Sequence, residues 1–331
     1  MPEQSTDEKQ LSYIQAVNHA LRWSLRERTD TVIFGEDVAI PGGPFGATKN
    51  LYKEFGPARI FDTPISETGF LGMALGAAMT GLRPIAEIMY VDFVFVAMDQ
   101  IVNQIANTRY ASAGNLTAPL VIRTQQGFSP GACAQHSHSA EAYFAHTPGI
   151  RLALPATPDD AYQMLRTAVA CDDPVIVSEA RMLYPSKGQV RLDSAIESVG
   201  GARTVRSGSD VTVVSWSRTV GLATEAAEQL AGEGIEADVI DLRWLAPLDF
   251  DTVAESVGRT GRLVIAHEAN LTGGFGAEIA ARAAEACFAD LRGPIIRVAA
   301  PDVPMPAAPV LQDVVVPGVA VIAQAIRLAV R

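Results

Sequence analysis

Short apolar runs alternating with helical periodicity constrain this chain more than any other feature. TVIF (31–34), PIAEIM (84–89), PLVIR (119–123), RLAL (151–154) and PVIVSEA (174–180) are apolar almost throughout. Such runs suit strands covered on both faces, the condition of a parallel sheet. Between them, 67–81, 93–112 and 157–170 read as helices. Residues 8–28 open the chain with Leu11, Ile14, Val17, Leu21 and Leu25 on one helix face. The pattern predicts an α/β fold built on a doubly wound parallel sheet. It lapses from about 185 to 208 into a polar, glycine-bearing stretch. It then resumes with VTVVSWS (211–217), EADVIDL (236–242), RLVIAHE (262–268) and PIIRVA (294–299), interleaved with helices at 218–232, 249–258 and 274–289 and closed by one at 318–330. Two domains are expected, 1–185 and a smaller α/β domain at 209–331, joined by a connection at 186–208.

The 331 residues suffice for two cores, and 48% hydrophobic with 19% charged residues lies in the globular range. A net charge of −11 without any basic run argues against nucleic-acid binding. Cys133, Cys171 and Cys287 are scattered and odd in number, which fits a reducing compartment and no disulfide framework. The start, MPEQSTDEKQ, lacks a secretory pattern, and the apolar stretch at 70–82 is as long as a buried core helix. A cytoplasmic protein is expected, with neither a membrane nor a nucleic acid as partner. The chain has no Walker sequence and no G-x-S-x-G elbow. Thr272 to Gly276, TGGFG, departs from G-x-G-x-x-G and reads as a tight strand-to-helix turn.

Candidate chemistry concentrates in two places. Glu67 opens a helix rich in Gly69, Gly72, Ala74, Gly76, Ala77 and Ala78, and Phe93 follows the next strand. A carboxylate and an aromatic plate at neighbouring strand ends suit a flat, nitrogen-rich ring. Small residues let a partner chain or a ligand approach closely, and they weaken the helix that carries them. Further on, His136, His138 and His146 share a loop with glycine and proline before it, where imidazoles can act as acids, bases or donors. No Cys or carboxylate completes a four-ligand metal set there. Cys133 lacks an evident third partner for a nucleophilic role.

The ordered segments FGEDV (34–38), FDTPISETGF (61–70), GLRPIAEIMYVDF (81–93), DQIVNQIAN (99–107) and PLVIR (119–123) carry a family likeness, together with QHSHSAEAYFAHTPG (135–149), LTGGFGAEIA (271–280) and RVAAPDVPMP (297–306). Over nearly its full length the chain resembles the β subunit of the thiamine-diphosphate-dependent decarboxylating component of 2-oxo acid dehydrogenase complexes, of the pyruvate, branched-chain and acetoin types. The resemblance implies a pyrimidine-binding domain followed by a transketolase C-terminal-like domain. It also implies a heterotetramer with two α subunits. The α subunit would hold the diphosphate and Mg²⁺ through a Gly-Asp-Gly motif that this sequence lacks. A self-sufficient thiamine-dependent transferase fits less well for that reason. A chain that has kept the fold and lost the chemistry fits less well because Glu67, Phe93 and His136 are all present.

By this resemblance Glu67 would hydrogen-bond N1′ of the aminopyrimidine and favour its imino tautomer, and Phe93 would stack on that ring. His136 would handle protons or guide the substrate and the lipoyl group, and Glu36 would lie near the cofactor. The C-terminal domain would meet the lipoyl acyltransferase core. A structural K⁺ would fall to Leu120, Ala168, Val169, Cys171 and Asp173. Two residues depart from the family: His138 stands where Gln is common, and Cys171 where Asp is common.

Overall fold

The computed structural model describes residues 8–192 and 194–331. Two compact units emerge. One runs to Gln126 and resumes over His146–Val199; the other comprises Gly127–Ala145 and Gly200–Arg331. The segment Gly127–Ala145, inside the span expected as one domain, thus makes its contacts with the second unit.

The first unit holds strands β1 (Glu8–Ser12), β2 (Thr31–Gly35), β3 (Ile60–Asp62), β4 (Arg83–Ile88), β5 (Val121–Gln126), β6 (Arg151–Ala153), β7 (Val175–Ala180) and β8 (Lys187–Arg191). Its main sheet has the order β6-β7-β5-β4-β2-β3, every pair parallel. Strands β2, β5 and β7 are buried at every position, which is why their sequences are apolar without alternation. Strand β2 lies between the next two strands of the chain, so the winding reverses there.

Local signals act as their chemistry dictates. Residues 8–12 form β1 and pair antiparallel with β8, so the expected helix starts only at Tyr13. Ser12 and Gln15 close a reciprocal capping box there. Thr157 caps the helix Pro158–Ala170 by accepting from Asp160 N. The single helix expected over 93–112 is instead a broken ribbon: Val91–Val94, a 3₁₀ turn at Phe95–Ala97, a π turn at Gln100–Ile105, and Thr108–Ala111. It packs against the small-residue helix Glu67–Met79, where a Cβ at Gly72 would stand 3.3 Å from Gln100 Oε1. Periodicity alone does not show such changes of pitch, which recur at functional sites.

The second unit contains β9 (Arg203–Arg206), β10 (Val211–Ser215), β11 (Ala237–Asp241), β12 (Trp244–Ala246), β13 (Leu263–Asn270) and β14 (Ile296–Ala300). Its sheet runs β14-β13-β10-β11-β9, parallel except for β9. Val213, Val239 and Val264 pack with Leu230, Ile322 and Ile326 from the helices Arg218–Ala231 and Val319–Ala329. The expected connection at 186–208 therefore contains two strands, β8 in the first unit and β9 in the second.

Candidate active site

In the first unit, the carboxyl ends of three adjacent parallel strands carry Glu36, Glu67 and Phe93. Glu36 directly follows β2, Glu67 opens the helix after β3, and Phe93 lies in the short helix after β4. Crevices at such reversal points are where open α/β sheets bind ligands. Gly35 makes the approach possible, because a Cβ there would stand 2.4 Å from the Glu87 carbonyl oxygen. The loop after β2 is tied down on both sides. Ala39 N donates to Asp62 Oδ1 at 2.7 Å, Thr48 Oγ1 to Val38 O at 2.7 Å, and Thr63 N to Gly35 O at 2.9 Å.

Glu67 is only 6% exposed. Glu36 is half-buried, and its buried Oε1 has no hydrogen-bond partner among the described residues; the same holds for Thr63 Oγ1. Burial pushes the Glu36 carboxyl above its ordinary range, and the charge of Glu67, then that of Asp37, pushes it further. Glu36 and Glu67 therefore share one electrostatic neighbourhood.

Phe93 is half-buried and meets Tyr90 edge-on with centroids 5.7 Å apart. The aromatic series continues through Phe45 (5.7 Å from Tyr90) to Tyr184 (5.5 Å from Phe45), and the Arg181 guanidinium lies 4.8 Å over Tyr90. Deeper in the sheet, Arg123 on β5 is fully buried between Glu87 on β4 and Glu179 on β7. Its Nη1 reaches Glu87 Oε2 at 2.5 Å, and Nε and Nη2 grip Glu179 at 2.6 and 2.7 Å. Burial holds the Glu87 carboxyl up, against the pull of Arg123. Tyr184 O–H also donates to Glu179 Oε2, at 2.8 Å. This triad fixes the strands beneath the site. The sequence reading missed it, although each of three apolar runs carried one misplaced charge, Glu87, Arg123 and Glu179.

The three histidines occupy different settings. His136 ends a short 3₁₀ turn, Ala134–His136, in the second unit and is half-buried. His138, in the same unit, is exposed and lines a cavity of about 330 Å³ with Ser137, Glu268, Asn270 and Asp302. His146 belongs to the first unit and is exposed. Cys133 Sγ donates to Gln135 Oε1 at 3.1 Å. Among the described residues, no group of three or more His, Cys, Asp or Glu could hold a metal ion.

The oxygens expected to bind K⁺ already accept from this chain. Leu120 O takes Val175 N at 3.0 Å and Ala168 O takes Cys171 N at 3.3 Å. Val169 O and Cys171 O both accept from Arg83 Nη1, at 3.0 and 2.7 Å, and Cys171 Sγ accepts from Asp173 N at 3.4 Å. The Asp173 carboxylate pairs with Arg109 at 2.8 Å and Arg151 at 2.7 Å. This set does not fit a K⁺ ion, which would face the Arg83 guanidinium across two of its own ligands.

Residues 9–187 match the pyrimidine-binding domain of transketolase, and residues 200–322 match the transketolase C-terminal domain. The chain is 44% identical over 298 residues to the pyruvate dehydrogenase E1 component subunit beta of Leifsonia xyli, spanning 90% of this chain and 88% of that one. It is 40% identical to the 2-oxoisovalerate dehydrogenase subunit beta of Bacillus subtilis, over 91% of this chain and 93% of the relative. It is 41% identical to the acetoin:2,6-dichlorophenolindophenol oxidoreductase subunit beta of Cupriavidus necator, over 96% and 97%. The chain belongs to the β-subunit family of the 2-oxo acid dehydrogenases. β subunits of this family are oxidoreductase components that pair with an α subunit, and the family binds thiamine diphosphate. A split-gene transketolase, solved as an inactive beta4 tetramer, superimposes with a TM-score of 0.79 at 23% identity over 97% of this chain and 98% of its own, a likeness of fold. The carboxyls of Glu36 and Glu67, an unpartnered buried Oε1 and a nearby aromatic ring fit the aminopyrimidine of that cofactor, which offers hydrogen-bond donors and a flat face.

Proposed function

We propose that this chain acts with an α subunit, two of each, in the oxidative decarboxylation of a 2-oxo acid, pyruvate or a branched-chain one. The acyl group then passes to a lipoyl group on an acyltransferase core. The observation that carries this reading is the grouping of Glu36, Glu67 and Phe93 at three adjacent strand ends, with the Glu36 Oε1 buried and unpartnered. Bound thiamine diphosphate would supply the electron sink that takes up the electron pair of the broken carbon–carboxylate bond as CO₂ leaves.

This chain's own residues do the rest. Glu67 holds the proton shared with N1′ of the pyrimidine, in a buried position where water does not compete. Glu36 retains a proton more readily than a solvated carboxyl and offers it beside Glu67. Phe93 supports the ring by stacking, and its contact with Tyr90 fixes its own tilt. His136 carries a proton for the substrate or the lipoyl group. Mg²⁺ and the diphosphate fall to the α subunit, and the assembly works in the cytoplasm.

An acetoin-cleaving enzyme is the second reading, favoured by the Cupriavidus relative, which matches this chain almost end to end. Co-expression with the α subunit and assay of CO₂ release from pyruvate and from 2-oxoisovalerate, beside acetoin cleavage, decides between them. Turnover of a 2-oxo acid only by the pair is the expected result. Turnover of acetoin alone would transfer the assignment, and tight thiamine diphosphate binding by the isolated chain would overturn the split site.

A further inference from the structure

The histidine-bearing segment Gly127–Ala145 follows β5 of the first unit directly, yet it belongs to the second. Its attachments there are specific. Glu268, on β13, accepts from Phe128 N through Oε1 at 2.9 Å, while its Oε2 pairs with Arg218 Nη1 at 3.2 Å. The same Arg218 guanidinium lies 4.9 Å over the Phe128 ring. Gly127, at φ +79°, is shaped to this contact, since a Cβ would stand 2.4 Å from Glu268 Oε1. Gly127 N in turn donates to His138 O at 2.8 Å, which closes the base of the loop around His136.

A second attachment holds the far side. Trp216, 2% exposed just beyond β10, donates from Nε1 to Glu141 Oε1 at 3.1 Å, and Glu141 is 1% exposed. A third comes from Gln312, whose Nε2 donates to Ser129 O at 3.2 Å. Between these points Cys133 is held at φ +49°, a conformation rarely adopted by side-chain-bearing residues, directly before the turn that ends at His136. A strained backbone persists only where its surroundings over-determine it.

We infer that Glu268 is a positioning residue for His136, with Arg218 and Trp216 completing the clamp, so that the second unit sets the geometry of a proton-handling group it carries on an inserted loop. This rests on the reading of His136 given above. Glu268 acts through the backbone of Phe128 and the loop base. Misplacing a reacting group by about 1 Å can cost about 10²-fold in rate.

The test uses the α/β assembly loaded with thiamine diphosphate and Mg²⁺, in wild type, Glu268→Ala, Glu268→Gln, His136→Ala and the double variant Glu268→Ala/His136→Ala. Glu268→Ala should lower kcat for lipoyl acylation by about 10–10²-fold, with a much smaller change in KM. Glu268→Gln, whose amide oxygen still accepts from Phe128 N, should recover most of that loss. The double variant should be no slower than His136→Ala alone, because both changes remove one function. Amide exchange should rise at 128–136 in Glu268→Ala and stay unchanged in the helix Val319–Ala329. Rates that multiply in the double variant, or unchanged exchange at 128–136, would overturn the inference. Wild-type turnover by His136→Ala would instead defeat the reading of His136. The clamp would then stand or fall on the exchange result alone.

Discussion

His267 sits on β13 with none of its surface exposed, stacked on Trp216 at 5.0 Å and 13°. The backbone of the TGGFG turn closes over its edge: a Cβ at Gly274 or Gly276 would stand 2.7 or 2.6 Å from the ring. Burial, with the charge of Arg297 adding to it, lowers its pKa from 6.5 to about 4. As pH falls below 6.5, the unfolded chain takes up this proton while the folded chain refuses it. The resulting stability is fully present above 6.5 and is lost progressively down to about 4. Across that span the linkage amounts to about 3 kcal/mol, of which about 2 kcal/mol is gone by pH ~5. His267→Phe keeps a flat ring against Trp216 and removes the titrating group. Urea unfolding of both chains, followed by tryptophan fluorescence, should show the wild type losing about 2 kcal/mol more than the variant between pH ~7 and ~5. All other carboxyls and histidines contribute to both, so the difference isolates His267. Parallel pH profiles would refute the argument that a neutral imidazole is locked under this turn.

Four further outcomes are expected. Glu67→Gln should leave assembly with the α subunit intact and lower CO₂ release by about 10²–10⁴-fold, as measured with an artificial electron acceptor. Glu36 has a raised folded pKa, so it costs stability as pH climbs through that value. Glu36→Gln should therefore melt higher than wild type near neutrality in scanning calorimetry, with the gain vanishing below about pH 4. Arg123→Met leaves Glu87 and Glu179 buried without their counter-charge and should cost about 3–5 kcal/mol in denaturant unfolding. Potassium and sodium buffers should give the same melting temperature, whereas Arg83→Met should lower it in both. A selective rise in potassium would show that the 168–173 loop binds the ion after all.

The strand–helix alternation was readable because the sheet of the first unit is covered on both faces, so its strands advertise themselves as apolar runs. The strand-end positions of Glu67 and Phe93 were readable for a related reason: each stands a few residues past a strand of that sheet, where open parallel sheets form crevices. What escaped was whatever depends on partners distant in sequence. Strands β1 and β8 are polar and two-stranded, with neither apolar run nor alternation to mark them. The π turn at Gln100–Ile105 keeps helical spacing while changing pitch. Arg123 looked like the polar end of a strand, and only the register of β4, β5 and β7 shows that Glu87 and Glu179 flank it. Around the expected potassium set, nothing in the sequence pointed to Arg83, which lies far from 168–173 in the chain and next to it in space.

The inserted histidine loop has a consequence for the order in which the molecule can be finished. Phe128 finds its acceptor 140 residues later, Ser129 its donor 183 residues later, and Glu141 its tryptophan 75 residues later. During synthesis the loop emerges long before β10 and β13 exist, and closing contacts of such separation is slow. The first unit can pair its strands while this segment waits unfixed, and a chain cut short near residue 200 would present Glu67 and Phe93 with the histidine loop lacking its bed. Completion of the carboxyl-terminal sheet is thus what gives the histidine loop its fixed shape, long after the loop itself has been made.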